Sequence, residues 1–96
     1  MSGQSFILLN TLCSEYGVEI QWVHGLRDQG LIQIIWIDGA EQLHEDELPP
    51  FEKAVRLHRD LQVSLQDIDL VFGLLDRIET LQHEVSRLQQ RLSSYE

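Results

Sequence analysis

The fold is decided by residues 9–30, whose sequence is LNTLCSEYG followed by VEIQWVHGLRDQG. The first segment predicts a short helix, because Asn10 can cap its start and Gly17 can take the left-handed conformation after its end. The second segment predicts a helix over residues 18–29, which Gly30 ends. Two short helices that meet at a glycine-ended turn are typical of a helix-turn-helix unit.

The second predicted helix has an inner face and an unusual glycine. Val23 and Leu26 are three residues apart, so both should face the core. Gly25 stands between them, in a helix interior where glycine costs up to about 1 kcal/mol relative to alanine. We therefore expect another helix to approach closely at Gly25.

A β-hairpin is predicted to follow these helices. Residues 31–37, LIQIIWI, change to a β-rich composition, and Asp38-Gly39 is a strong hairpin turn signal. Residues 40–43 would form the returning strand. The hairpin resembles the wing of a winged-helix domain.

A third helix is indicated between residues 45 and 61. Glu45 and Asp46 suit the positive end of a helix dipole, and the tandem Pro49-Pro50 suits a first helical turn. The helix should run to about Leu61. Its predicted inner stripe consists of Phe51, Val55, His58 and Leu61.

A fourth helix is predicted to occupy the rest of the chain. Ser64, followed three residues later by Asp67, is a variant of the capping box, and only Gly73 interrupts the helix formers after it. This helix carries a heptad repeat, called the seam below. The seam residues are Val71, Leu74, Ile78, Leu81, Val85, Leu88, Leu92 and Tyr95.

The seam predicts a homodimer. β-Branched residues at three of its a positions and leucine at three of its d positions favour two strands. A helix of about 30 residues spans about 45 Å, more than the small N-terminal domain can cover. The simplest partner is a second copy of the chain, packed along Val71, Leu74, Ile78, Leu81, Val85, Leu88 and Leu92. Alternatively, the first turns near Phe72 and Leu75 fold back onto their own domain.

These elements predict one structural unit with two segments. Residues 1–63 would form an acidic winged helix-turn-helix domain, and residues 64–96 a C-terminal helix with the heptad seam. The predicted fold class is therefore mainly α, with a small β-hairpin wing and a long coiled-coil helix.

The charge of the N-terminal half points away from nucleic acid. Residues 1–50 contain a single base, Arg27, and eight carboxylates, so this half accounts for about −7 of a net charge of −9. DNA-binding proteins draw much of their affinity from Lys and Arg, whereas an acidic surface attracts basic protein surfaces. The carboxylates are Glu15, Glu19, Asp28, Asp38, Glu41, Glu45, Asp46 and Glu47.

We predict a protein-binding surface from these acids and the two tryptophans. Either indole ring could instead close the small core. If exposed beside carboxylates, Trp22 and Trp36 are suitable anchors for a basic amphipathic helix. Glu45 and Asp46 have a second possible role at the start of the third helix. The predicted partner-binding residues are Glu15, Glu19, Trp22, Asp28, Trp36, Glu41, Glu45 and Asp46.

The sequence offers no pattern for catalysis, metals or membranes. Cys13 is the only cysteine and should be a small buried hydrophobe, and His24, His44, His58 and His83 lack metal-ligand spacing. No glycine-rich phosphate loop is present. No apolar run of about 18 residues and no basic start of a secretory signal occur. We therefore expect no catalytic residues, no metal, no cofactor and no membrane contact, and a cytoplasmic location.

Several motifs give the chain a family resemblance. Leu12-Cys13, Gly17-Val18 and Gly30-Leu31-Ile32 are common to many MerR-like regulators. More specific are AVRLHRDL at residues 54–61, LLDRI at 74–78 and LQQRLS at 88–93. Over about residues 6–95 the chain resembles the CbpM family of chaperone modulators, which are small relatives of MerR-type helix-turn-helix proteins.

The resemblance implies a fold, a partner and a mechanism. It implies a MerR-like winged helix-turn-helix with a C-terminal coiled-coil helix. It also implies an inhibitor of a J-domain co-chaperone of the DnaJ-like CbpA type, which binds the J-domain and blocks its stimulation of the Hsp70 ATPase. Such a protein would be cytoplasmic, or nucleoid-associated through its partner.

Two alternatives remain open at this point. The chain departs from DNA-reading MerR proteins, because its second helix offers only Arg27 and its wing, IIWIDG at residues 34–39, lacks an Arg-x-Tyr element. A MerR-type DNA-binding transcriptional regulator is nevertheless the first alternative, although the charge of the chain argues against direct nucleic-acid binding. The second is a coiled-coil adaptor whose working surface is the fourth helix.

Overall fold

The computed structural model describes residues 5–95. The described chain is mainly helical and ends in a long C-terminal helix, as predicted, and it contains a three-stranded antiparallel sheet. The elements in chain order are β1 (Phe6–Leu8), α1 (Leu9–Tyr16), α2 (Ile20–Asp28), β2 (Ile35–Ile37), β3 (Ala40–His44), a 3₁₀ turn (Glu45–Glu47), α3 (Leu48–Asp60) and α4 (Leu65–Ser93). Residues 1–4, which the expectation about a secretory start concerns, lie outside the described residues. Glu96, the last residue of the predicted second segment, also lies outside them.

The sheet has one strand more than the predicted hairpin. β2 and β3 pair antiparallel as expected, with Asp38 and Gly39 at φ 52° and 79° in the turn between them. β1 then adds to the other edge of β3, with Phe6 opposite His44. Residues 6–8 form only a short apolar run in the sequence. No local pattern predicts that they form a strand, because the partner strand of β1 lies far along the chain.

The two short helices have the predicted order but start differently. Gly17 adopts φ 67° after α1, as expected. The prediction that Asn10 caps α1 is wrong, because β1 runs directly into the helix and Leu8 occupies the cap position without a side-chain hydrogen bond. α2 begins at Ile20, two residues later than the segment predicted from residue 18.

The core gathers residues from every helix. Val23 and Leu26 of α2 are fully buried, as predicted, together with Phe51 of α3 and Ile68 of α4. The predicted inner stripe of α3 is confirmed for Phe51 and Val55, which are buried. It is wrong for His58 and Leu61, which are exposed. The helix ends at Asp60, so both residues lie beyond the part of α3 that the core covers.

The start of α4 packs on the domain through a stripe distinct from the seam. This stripe consists of Leu65, Ile68 and Phe72, all of which contact or belong to the core. Leu65 lies so close to α2 that a Cβ atom on Gly25 would come within 2.4 Å of its Cδ2, which confirms the expected close approach. The predicted capping box differs, because the Ser64 hydroxyl donates to the Asp67 carboxylate at 3.1 Å and makes no backbone cap.

The seam itself does not fold back along the domain. Leu74, the second seam residue, is 51% exposed, and Leu75 beside it is 36% exposed. The apolar residues from Leu74 to Leu92 remain about half exposed along the helix. The single chain therefore leaves the seam open to a second surface.

Candidate protein-binding surface

Among the carboxylates predicted to bind a partner, Glu41 makes the most contacts within the domain. It lies on β3 opposite Trp36, and its two oxygens lie 2.9 and 3.1 Å from Nε2 of His24. Arg27 approaches the same carboxylate at 3.7 Å. With its side chain only 18% exposed, Glu41 ties the wing to α2 and has little charge left for an external partner.

Two further acids have neighbours of their own. Asp28 accepts a hydrogen bond from Nε of Arg27 at 3.1 Å, on the exposed end of α2. Asp46 donates its backbone N–H to Nδ1 of His44 at 3.0 Å. Because that ring nitrogen accepts this hydrogen bond, its 3.4 Å approach to the Asp46 carboxylate is not an ion pair.

The remaining acids are spread over the domain surface. Glu15 is exposed on α1, Glu19 just before α2, and Glu45 in the 3₁₀ turn. Asp38, in the wing turn, is exposed as well. These acids lie on different elements of the domain, and each of them faces solvent.

Trp36 lines a cleft beside the wing. Its side chain is 70% exposed, so it does not close the core. The cleft, of about 230 Å³, lies where the wing meets the starts of α1 and α2 and is called the wing cleft here. Its lining residues are Leu8, Leu9, Asn10, Ile20, Trp36, Gly39, Ala40 and Glu41.

Trp22 belongs to a different part of the surface. It packs against the core, its ring centroid lies 5.1 Å from that of His58, and its Nε1 is enclosed without a hydrogen-bond partner among the described residues. It also lines a second concavity of about 480 Å³, called the helix cleft here. The helix cleft is lined by Gly17, Val18, Glu19, Trp22, His58 and Arg59.

Arg59 is a surface residue that the sequence reasoning missed. It donates from its guanidinium to the backbone carbonyl of Tyr16 at 2.9 Å, at the end of α1. A cation there complements the negative end of the helix dipole. It also places a positive charge in the helix cleft, a placement that no local pattern around residue 59 predicts.

A short hydrogen bond joins α1 to α3 nearby. The hydroxyl of Tyr16 donates to the carboxylate of Glu52, and its ring packs edge-on against Phe51. That hydrogen bond, with burial and the charge of Glu52, raises the pKa of Tyr16 above its ordinary value of 10.0. Burial also raises the pKa of the Cys13 thiol, which is half-buried as a small apolar residue.

His58 places Nδ1 at 3.0 Å from the carbonyl oxygen of Val63 and so lies at the edge of the core. Among residues 5–95, no group of three or more His, Cys, Asp or Glu side chains is arranged to hold a metal ion. None of the described helices is long and apolar enough to cross a membrane.

The fold and the comparisons define the class of protein. Two short helices, a hairpin wing and a long C-terminal helix are the parts of a winged helix-turn-helix regulator. A family model described as MerR HTH family regulatory protein matches residues 7–90.

Curated relatives narrow the family further. The chaperone modulatory proteins CbpM of Pseudomonas entomophila (strain L48) and of Pseudomonas putida (strain KT2440) are each 30% identical to this chain over 88 residues. Each match covers 91% of this chain and 87% of the relative. The chain therefore belongs to the MerR helix-turn-helix family and, within it, to the chaperone modulatory proteins CbpM.

Proposed function

We propose that this protein is a chaperone modulator that binds the J-domain of a DnaJ-like, CbpA-type co-chaperone and masks its basic Hsp70-binding helix. The observation that carries the proposal is the charge of the first fifty residues, which form the helix-turn-helix unit and the wing. On a fold otherwise used for nucleic acid, residues 1–50 carry eight carboxylates and one base. Because the chain belongs to the CbpM family, we expect its partner to be a protein of the chaperone system.

The contacts of Arg27, the one base among residues 1–50, strengthen this argument. Arg27 lies on α2, the second helix of the helix-turn-helix unit, whose counterpart in such domains enters the major groove. Here its guanidinium is held by Asp28 at 3.1 Å and approaches Glu41 at 3.7 Å. A base already surrounded by carboxylates contributes little to phosphate binding, so α2 and its surroundings favour a cationic protein partner.

The mechanism is competition for one surface. A J-domain presents a basic helix to Hsp70, and an acidic domain bound to that helix would exclude Hsp70 from it. Complementary charge would raise the association rate and select the partner, while buried apolar groups would provide most of the affinity. Exposed acids that can act in this way include Glu15, Glu19 and Glu45.

A calorimetric titration with the J-domain tests the proposal. We expect binding at micromolar concentration in low salt and weaker binding in high salt, because exposed charges are screened. We also expect the protein to reduce J-domain stimulation of the Hsp70 ATPase at stoichiometric concentration. Absence of binding, or affinity independent of salt, would contradict the proposal.

The alternative function is transcriptional regulation through DNA. The helix-turn-helix fold favours it, and a gel-shift screen with genomic fragments tests it. We expect no retardation at physiological salt, because nonspecific affinity grows with the number of phosphates that Lys and Arg neutralise. Salt-dependent retardation of a particular fragment would support the alternative instead.

We further propose that the seam forms a homodimer. The seam residues Leu74 to Leu92 are about half exposed in the single chain, which is an unfavourable state for a continuous apolar stripe. The stripe that holds α4 to the domain is a separate one, so the seam can pair without releasing the domain. Sedimentation equilibrium should show a dimer that Ile78→Asp converts to a monomer.

We further propose that the two seam helices run antiparallel. Three of the positions that precede an a residue are charged, namely Arg77, Glu84 and Arg91, and the positions that follow the d residues are Leu75, Gln82, Gln89 and Glu96. In a parallel pair the first set faces the second, so Arg77 and Glu84 meet glutamines and Arg91 alone can meet an acid, the partner's Glu96. In an antiparallel pair the first set faces itself, and Arg77 can meet Glu84 of the partner subunit.

A charge reversal distinguishes the two orientations. Glu84→Arg makes all three positions basic, so an antiparallel dimer should dissociate at a higher concentration than the wild type. Glu79→Arg is the matched control, because it reverses the same charge on a face away from the seam. Equal dissociation constants for the two variants would contradict the antiparallel arrangement.

The same seam variant addresses the coiled-coil adaptor. If the seam serves assembly only, monomeric Ile78→Asp keeps its intrinsic affinity for the J-domain. Loss of that affinity, with the domain still folded, would show that the fourth helix is itself the binding surface.

A further inference from the structure

We infer that the wing cleft receives one apolar side chain from the basic helix of the J-domain, with Trp36 packing over it. This inference rests on the proposed function and assigns that function a place on the surface. It requires a concavity of suitable size with apolar side chains in its walls, a favourable charge around it, and a reason why the helix cleft is not used.

The size and lining of the wing cleft suit a single side chain. Leu8 and Trp36 are 46% and 70% exposed, and Ile20 at the start of α2 is partly exposed, so apolar walls face solvent. The volume of about 230 Å³ is below the range of about 300–1,000 Å³ typical of small-molecule sites. Such a cleft fits an apolar anchor from a partner protein, and exposed tryptophans are frequent hot spots in such contacts.

The charge around the wing cleft suits a basic helix. None of its lining residues, all of them within the described chain, is Lys or Arg. Glu41 lines the cleft but is already bonded to His24. The carboxylate left to meet a cation there is that of Asp38, which is exposed and lies next to Gly39, whereas the exposed Glu19 lines the helix cleft.

The helix cleft is a poorer place for the same partner. Arg59 lines it and is fixed there by its hydrogen bond to the carbonyl of Tyr16. The indole of Trp22 is partly buried and packed against the core, so it offers less exposed surface to a guest than Trp36 does. A basic helix would therefore meet a fixed cation beside Glu19 at the helix cleft, whereas no residue that lines the wing cleft is Lys or Arg and the Asp38 carboxylate next to it is exposed.

Truncation of the cleft walls tests the inference by titration with the isolated J-domain. We expect Trp36→Ala to weaken binding at least tenfold, as for the loss of a central aromatic anchor, and Leu8→Ala to weaken it by a smaller factor. Leu61→Ala is the control, because Leu61 is equally exposed, at 69%, but lies at the end of α3. Asp38→Asn should lower the salt dependence of binding, and asparagine tolerates the positive φ at this position.

Single-tryptophan variants give a second readout. Trp22→Phe leaves Trp36 as the only tryptophan, and its emission should shift to the blue when the J-domain is added. Trp36→Phe leaves Trp22, whose emission should not change. A blue shift of Trp36 that follows protein concentration without any J-domain would show that a second copy covers the cleft and would overturn the inference.

The outcomes separate the inference from the proposed function. If wild-type protein binds the J-domain and Trp36→Ala binds equally well, the assignment of the wing cleft is wrong while the function stands. If the wild type does not bind at all, the proposed function itself is wrong, and the cleft assignment with it. Weakened binding by Trp36→Ala with unchanged binding by Leu61→Ala supports both.

Discussion

Replacing Ile68 by alanine should loosen the attachment of the long helix to the domain. Ile68 is fully buried, and with Leu65 and Phe72 it forms the stripe through which α4 packs on the core. Truncating a buried isoleucine to alanine costs about 2–5 kcal/mol, because transfer free energy is lost and a cavity remains. We expect about 3 kcal/mol here, since the site lies at the edge of a small core that can partly collapse.

The corresponding change in melting temperature is large enough to measure simply. An unfolding entropy of about 2.1 cal/mol/K per residue gives about 200 cal/mol/K for the 96 residues of this chain. A loss of about 3 kcal/mol therefore lowers Tm by about 15 °C. Circular dichroism melts of wild type and variant should be recorded at one protein concentration, because a dimer melts at a concentration-dependent temperature.

A matched truncation controls for the loss of apolar surface alone. Leu61 is 69% exposed, so Leu61→Ala should change stability by less than about 0.5 kcal/mol. Hydrogen exchange adds a local test, because Ile68→Ala should lower amide protection in the first turns of α4. If Ile68→Ala melted within about 2 °C of the wild type, α4 would not be packed on the core as described.

Three further predictions concern individual contacts. Gly73→Ala should stabilise the protein by about 0.5–1 kcal/mol, because helix propensity rises and no atom lies within 4 Å of the new Cβ. Gly25→Ala should stabilise it less, or destabilise it, because the new Cβ would lie 2.4 Å from Leu65 and push that side chain aside; equal urea midpoints for the two variants would contradict this. In a Tyr95→Phe background, the ultraviolet titration of Tyr16 should have its midpoint above pH 10, and Glu52→Gln should lower that midpoint, because the hydrogen bond to Glu52 is the main cause of the raised pKa. A phenol with a raised folded pKa stabilises the native state fully below its unfolded pKa, so the contribution of Tyr16 should be lost only as the pH rises through the folded value.

Much of the fold could be predicted because its signals are local. Gly17 and Asp38-Gly39 end a helix and turn a hairpin through positive φ angles that few residues adopt. The spacing of Val23 and Leu26 marks a helix face within a single turn. The seam is equally local, since a heptad repeat is visible without knowledge of any other element.

The candidate site depended on contacts that no local pattern contains. Trp22 and Trp36 looked equivalent in the sequence, yet one packs against the core and the other is 70% exposed. The sequence predicted that the Glu41 carboxylate is available to a partner. In the folded chain this β3 residue instead contacts His24 and Arg27 of α2. Charge counts alone could not separate engaged carboxylates from available ones.

The sequence by itself determined the helix-turn-helix, the wing, the long helix and the acidic character of the domain. Composition and short-range periodicity are sufficient for these features, because they arise from residues within one or two turns of each other. Long-range packing was needed to establish that β1 joins β3, which stripe of α4 faces the domain, and which aromatic ring is exposed. These features arise from packing between residues far apart in the chain, such as His24 with Glu41 and Gly25 with Leu65, whose proximity exists only once the chain has folded.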